Sequence, residues 1–306
     1  MSDATIPGSS VAKPQANRSG ESSATHPGGR IARRFRELAQ AGELGLVAYL
    51  TAGDPDLETS EKIILAAAQG GADVIELGVP FSDPVADGPV IQRASERALH
   101  GGASLAGVLE LARRLRARTD LPLVLFSYFN PILQMGLERF AQCASGAGID
   151  GVLVTDLTPE ESVDYRAIVR AQGLDTIFLG APTSTDARLA TIAECSSGFL
   201  YLISRTGVTG TRESLPAELP ALVRRARRFT KLPIAVGFGI SLPEHVSVLG
   251  GIADAAVVGS ALVAQVEKAL QSNLGAEAAA KAVAERIRLL KGAARRGISA
   301  RAPENQ

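Results

Sequence analysis

Val74-Ile75-Glu76-Leu77-Gly78-Val79-Pro80-Phe81-Ser82-Asp83-Pro84-Val85-Ala86-Asp87-Gly88-Pro89-Val90-Ile91-Gln92 carries both the fold signal and the first candidate chemistry. A short apolar run holding one carboxylate gives way to a loop of Pro, Gly, Ser and Asp before helical spacing resumes. Such a run, bounded by turn residues, reads as a strand buried on both faces. An ionised carboxylate inside it costs on the order of several kcal/mol unless it is paired or protonated. Glu76 is therefore either a core position with a hidden partner or a general acid/base at a strand end. Asp83 and Asp87 add two acids in a Pro-rich loop, where local environments can push pKa values apart. A solvated acidic turn is the competing reading, and it suits Asp83. It fails for Glu76, whose neighbours are Val, Ile and Leu.

The same beat recurs along the chain. Short apolar runs begin near Leu46, Asp73, Leu123, Gly151, Asp175, Phe199, Pro233 and Ala255, with helix-like stretches at 57–69, 104–118, 137–147, 160–171, 186–195, 215–229 and 243–249. Strands alternating with helices imply parallel βα units. Eight units in roughly 250 residues make a (β/α)8 TIM barrel. An open doubly wound sheet is the alternative, and no Gly-x-Gly-x-x-Gly follows the first run to support it. Ile31, Phe35 and Leu38 have helical spacing that Gly42 can end, so an extra N-terminal helix precedes the first strand. The expected organisation is a disordered tail over 1–29, a barrel over 30–292 and a frayed tail over 293–306. The second and sixth units carry the longest intervals, which pick out loops at 79–91 and 205–214. Barrel enzymes place their chemistry in loops at the C-terminal ends of strands.

Composition narrows the function. The 306 residues are 46% hydrophobic and 21% charged, with 32 basic and 32 acidic side chains, so no bulk field favours nucleic acid or an anionic membrane. No apolar run nears the ~18 residues that span a bilayer, and the Ser-, Gly- and Pro-rich N-terminus lacks the apolar centre of a signal peptide. Cys143 and Cys195 have no metal-ligand spacing and read as small core residues in a reducing cytoplasm. The arginine runs at 113–118 and 224–228 read as solvated helix faces.

Glycines mark the ends of the late strands: Gly207 and Gly210, then Gly237 and Gly239, then Gly259 ahead of Ser260. Glycine lets backbone N–H groups approach an anion, and Ser260 would open a helix whose N-terminus faces the ligand. Loops after strands seven and eight form the recurrent phosphate site of this fold, so a phosphorylated substrate is expected. None of the six lysines falls at the C-terminal end of a strand, which disfavours a Schiff base or lysine-bound pyridoxal phosphate. His26, His100 and His245 cannot assemble a metal site and read as surface residues. The remaining acids are Glu76, Asp83, Asp87 and Asp156, implying acid/base chemistry without metal or covalent cofactor. Tyr49, Phe126, Tyr128, Phe178, Tyr201 and Phe238 lie in or just after strands. Barrel filling explains most such residues, yet so many among 4% aromatics favours a flat apolar ligand, with Tyr128, Tyr201 and Phe238 foremost.

The run from Glu76 to Pro89, with Thr51-Ala-Gly-Asp-Pro55, Ser204-Arg-Thr-Gly-Val-Thr-Gly210 and Val236-Gly-Phe-Gly-Ile-Ser241, resembles the tryptophan synthase alpha chain over about residues 30–292. The resemblance implies a cofactor-free lyase that cleaves indole-3-glycerol phosphate to indole and glyceraldehyde 3-phosphate. Indole would pass to a partner beta chain that holds pyridoxal phosphate, in an assembly of two alpha and two beta chains in the cytoplasm. It further implies Glu76 as general acid/base and Asp87 as acceptor of the indole N–H, with Thr209 holding Asp87 when its loop closes. Gly210, Gly239, Gly259 and Ser260 match the phosphate cradle. Tyr49, Ile91, Phe126, Tyr128, Leu153, Tyr201 and Phe238 match the indole pocket. Pro80, Phe81, Asp83 and Pro84 match the loop that touches the beta chain. Tyr49 and Phe126 stand where other hydrophobes are common in the family. Two alternatives remain open: another phosphate-binding barrel isomerase or synthase, and a mainly allosteric, channelling subunit with low turnover. Intact Glu76, Asp87 and Thr209 argue against the second.

Overall fold

The structure, a computed structural model, describes residues 28–204, 215–237 and 239–299. Helix α1 (Arg30–Ala41) precedes β1 (Gly45–Thr51), α2 (Leu57–Gly70) and β2 (Val74–Gly78). Two helices, α3 (Pro89–His100) and α4 (Leu105–Arg116), lead to β3 (Leu123–Ser127), and two more, α5 (Phe129–Met135) and α6 (Leu137–Gly146), to β4 (Gly151–Val154). Then come α7 (Val163–Ala171), β5 (Asp175–Ile177), β6 (Leu179–Gly180), α8 (Asp186–Cys195), β7 (Leu200–Ile203), α9 (Leu219–Arg227) and β8 (Ile234–Gly237). The chain closes with α10 (Pro243–Leu249), β9 (Ala255–Val258), α11 (Ser260–Gln271) and α12 (Gly275–Ser299).

The sheet is parallel throughout, in the order β5-β4-β3-β2-β1-β9-β8-β7-β6. Its two outermost members, β5 and β6, are consecutive in the chain and separated only by Phe178. They are two halves of one stave: the first half pairs with β4, the second with β7, and Tyr201 N–H reaches Phe178 O at 3.4 Å. Nine strands thus form the eight staves of a (β/α)8 barrel.

Alternation along each strand divides the core in two. Val47, Val74, Val124, Leu153, Ile177, Ala235 and Val257 fill the barrel interior, whereas Leu46, Ile75, Leu125, Val152, Leu202 and Val236 face the helices. The expected N-terminal helix is α1. Its Ile31, Phe35 and Leu38 join the interior cluster, with the Phe35 ring 5.7 Å from Phe199, so α1 plugs the barrel where the strands begin.

That end is also bound by charge. Asp73, Asp150 and Asp254 each stand just before a strand and accept the N–H of a residue at the start of the neighbouring one: Leu46 at 2.6 Å, Leu123 at 2.8 Å and Ile234 at 2.7 Å. Arginine or lysine completes each group. Arg34 and Lys291 (2.7 Å) meet Asp73, Arg30 and Arg116 meet Asp150, and Arg227 meets Asp254.

Two sequence expectations change. The extra chain after the second strand is a loop only as far as Gly88; Pro89 at the first helical position opens α3, which takes in Ile91. The frayed tail expected from 293 begins as helix, because α12 continues to Ser299 and buries Ala293 and Ala294. Ser247 Oγ of α10 donates to Ala293 O at 3.3 Å, and alanine and arginine favour helix here. Residues 1–27 and 300–306 lie outside the described residues.

Candidate active site

At the C-terminal ends of the strands, Tyr49 of β1, Phe126 of β3, Tyr201 of β7 and Val257 of β9 line a cavity of about 290 Å³. Its wall continues through Ala86–Ile91 at the entry to α3, and through Gly239–Ser241 and Gly259–Ala261 after β8 and β9. Tyr49 meets Phe126 edge to face, 5.1 Å apart at 78°. Two glycines make room for the phenols. A Cβ on Gly78 would lie 2.2 Å from the Tyr49 hydroxyl, and one on Gly237 would lie 2.2 Å from that of Tyr201. Each tyrosine therefore leans across the end of the strand beside its own.

Glu76 sits in register between Tyr49 and Val124 and is fully buried. Neither of its carboxyl oxygens has a hydrogen-bond partner among the described residues. Burial alone pushes its pKa up to about 8, so it is a neutral acid at pH 7. It is not on the cavity wall. Burial first, and the nearby carboxyl groups of Asp87 and Glu76 second, push the phenols of Tyr49 and Tyr201 well above their ordinary range.

Asp87 enters from the loop after the same strand, only 8% exposed. Its N–H donates to Pro84 O at 2.9 Å, and Gln92 Nε2 donates to its carbonyl at 3.0 Å. Tyr128 donates its hydroxyl to Asp87 Oδ2 at 3.0 Å and accepts the Ala86 N–H at 3.0 Å. Burial raises Asp87 to about 6 against the lowering effect of that hydrogen bond. Tyr128 is thus off the cavity wall and holds the carboxylate loop, with Phe81 stacked on it at 4.9 Å.

The opposite end presents free backbone N–H groups to the cavity. As the first residues of α11, Ser260 and Ala261 present N–H groups that have no carbonyl within the helix to bond. Gly239 adopts a left-handed φ of 87°, which favours glycine. Thr209, Gly210 and Phe238 lie outside the described residues.

Other expected positions separate from this cavity. Leu153 is buried among the interior side chains. Phe81, Asp83 and Pro84 line an open groove with Val85, which is 82% exposed, whereas Pro80 is buried. Asp156 is an exposed acceptor for the Phe129 N–H at 2.7 Å and so holds the start of α5. His245, read as a surface residue, is buried; its Nδ1 takes the Ser241 N–H at 3.3 Å, tying the loop after β8 to α10. Arg93, Ile240 and Ser241 also line the cavity, unremarked in the sequence because a helix surface and a loop give no periodic signal for a site. No group of three His, Cys, Asp or Glu that could hold a metal ion occurs among the described residues.

Side-chain acid–base chemistry at the mouth of a (β/α)8 barrel is the class of enzyme that this geometry defines. The model of the tryptophan synthase alpha chain family matches residues 35–293, and the chain belongs to that family. The tryptophan synthase alpha chain of Solibacter usitatus is 54% identical over 243 residues, 79% of this chain and 91% of the relative. The solved structure of Mycobacterium tuberculosis tryptophan synthase superposes with a TM-score of 0.79 at 34% identity, covering 87% of this chain and 98% of that one. The tryptophan synthase complex of Pyrococcus furiosus gives 0.74 at 38% identity, covering 82% and 98%. Membership sets aside an isomerase or synthase of another barrel family.

Proposed function

We propose that this chain catalyses the alpha reaction of tryptophan synthase, the retro-aldol cleavage of indole-3-glycerol phosphate to indole and glyceraldehyde 3-phosphate. Glu76 carries the reading: an acid with an unpartnered carboxyl and a pKa near 8, set beside an aromatic cavity. Because neither oxygen is tied, turning it toward the cavity breaks no hydrogen bond. Its proton goes to C3 of the indole ring, placing positive charge on the ring nitrogen. Asp87, ionised above about pH 6, accepts that N–H and stabilises the charge. The Glu76 carboxylate then takes the proton of the C3′ hydroxyl as the C3–C3′ bond breaks, and the bond pair returns to the ring. Indole and the aldehyde leave, and Glu76 is again protonated.

Tyr49, Ile91, Phe126 and Tyr201 pack the ring, with Leu153 behind them and Tyr128 acting through Asp87, and the family motif assigns Phe238 to the same pocket. Thr209 holds Asp87 when its loop closes, and Gly210, Gly239, Gly259 and Ser260 hold the phosphate. The reaction needs no cofactor in this chain; pyridoxal phosphate belongs to a partner beta chain, in an assembly of two of each. Phe81, Asp83 and Pro84, beside exposed Val85, form the face that meets it. No described helix is long and apolar enough to cross a membrane, and we place the enzyme in the cytoplasm.

Glu76→Gln tests the assignment. The amide keeps the shape of the side chain and cannot transfer the proton, so substrate should still bind while indole release falls by about 100-fold or more. Near-normal release by the purified variant would sink the assignment.

A further inference from the structure

Helix α3 meets the barrel through small side chains: its buried residues are Ala94, Ser95 and Ala98. Val90 and Ile91, at its first turn, pack against the barrel interior as well. Further along the helix, two arginines one turn apart fix it by charge. Arg97 forms a two-pronged pair with Asp54, Nε to Oδ1 and Nη2 to Oδ2, both 2.8 Å. Its remaining Nη1 donates to Glu267 Oε1 at 3.1 Å. Arg93 makes a second two-pronged pair with Glu267, at 2.6 and 2.8 Å. The Asp54 and Glu267 side chains are only 3% and 12% exposed, so the part-buried Arg97 bonds are poorly screened, whereas Arg93 is half-exposed. Asp54 follows β1, while Glu267 lies two turns along α11 from Ser260. The network therefore ties together the helix that begins behind Asp87 and the helix whose first turn is the anion end of the cavity.

We propose that Arg97, clamped between Asp54 and Glu267, is a positioning residue that fixes the separation of Asp87 from the start of α11 and so sets the length of ligand the cavity accepts. The inference rests on the proposed function, in which one substrate is gripped at both ends. A ligand with two linked anchors gains over its halves only when both anchors can be met at once. An arginine fork holds two carboxylates in fixed directions, which a lysine ammonium cannot do.

The test is calorimetric titration of the wild type, Glu267→Gln and Arg97→Lys with three ligands: indole, glycerol 3-phosphate, and an uncleavable analogue joining indole to phosphate through three carbons. In both variants each half should bind within about twofold of wild type, while the joined analogue weakens about tenfold or more. In turnover of indole-3-glycerol phosphate, KM should rise and kcat fall together. Loss of both halves and the joined ligand to the same degree would show a merely structural role and overturn the proposal. So would a folded variant that binds the joined ligand as wild type does. Glu267→Gln leaves the Arg97–Asp54 pair intact and carries the test alone if Arg97→Lys does not fold. A wild type that binds the joined ligand no better than its halves overturns the underlying reading of the site, and this proposal with it.

Discussion

Tyr128 and Asp87, 41 residues apart in the chain, share one hydrogen bond of 3.0 Å, and the same phenol accepts the N–H of Ala86. One hydroxyl therefore holds both a buried carboxylate and the backbone that delivers it. The bond favours the ionised form of Asp87, opposing the burial that raises its pKa. In Tyr128→Phe the acid limb of the pH–rate profile should move upward and kcat should fall by about tenfold, with a smaller change in KM. An unmoved acid limb would separate Tyr128 from Asp87.

The wild-type profile follows from the two carboxyl groups. Asp87 must be ionised and Glu76 protonated, so kcat/KM should climb through about pH 6 and decline through about pH 8. Asp87→Ala should lower kcat more than it raises KM, because the charge that it stabilises appears mainly in the transition state. A profile flat from pH 5 to 9 would contradict the assignment of both groups.

Glu76 also makes stability depend on pH. Its pKa is higher in the folded state than its ordinary value, so the fold holds a proton that the unfolded chain has released. Stability then declines as pH rises from about 4.5 to about 8 and levels off above. Glu76→Gln removes this dependence. Relative to wild type it should gain on the order of a few kcal/mol between pH 4 and pH 8, read by urea unfolding at both values. A constant difference between the two proteins would show that Glu76 is ionised in the fold.

Gly237→Ala should disturb the site through Tyr201, whose hydroxyl lies 2.2 Å from the added methyl position. Overpacking of this kind destabilises by about 1–3 kcal/mol. Pairing it with Tyr201→Val should restore much of the lost stability, as thermal unfolding would show. If the double variant is no more stable than the single one, the glycine serves something other than the tyrosine.

Lys291, 8% exposed on α12, donates to Asp73 at 2.7 Å across 218 residues of chain. Lys291→Met leaves Asp73 with Arg34 and the Leu46 N–H, so the loss should be about 2–4 kcal/mol rather than complete unfolding. The surviving folded protein should release indole at the wild-type rate. A selective loss of kcat would mean that this end of the barrel acts on the chemistry.

How far the sequence reveals all this depends on the range of each contact. The beat of apolar runs is local, and it shows eight staves. It does not show that Phe178 splits the fifth, which depends on pairing with different neighbours on each side. Glu76 stands out because a carboxylate between Ile75 and Leu77 contradicts its surroundings. Asp87 does not stand out from Asp83 by residue type or loop composition. Only the fold buries the first and leaves the second exposed. Tyr128 reads as a pocket aromatic, and the task of its hydroxyl appears only when the loop folds over it. His245 reads as surface because a seven-residue helix has little pattern, yet the loop after β8 needs its ring nitrogen. Asp54 lies in a quoted motif but Arg97 and Glu267 are ordinary charges in the sequence, and the meeting of the three requires the whole barrel.

The aspartates before β2, β4 and β9 bear on more than the floor they occupy. Each draws an amide at the start of a neighbouring strand into a charged group far from the cavity, so these staves are latched at one rim. The other rim, relieved of that duty, can carry a fully buried acid that has no hydrogen-bond partner among the described residues. Heat should consequently loosen the barrel from its mouth, with the amides of Leu46, Leu123 and Ile234 among the last to exchange with solvent.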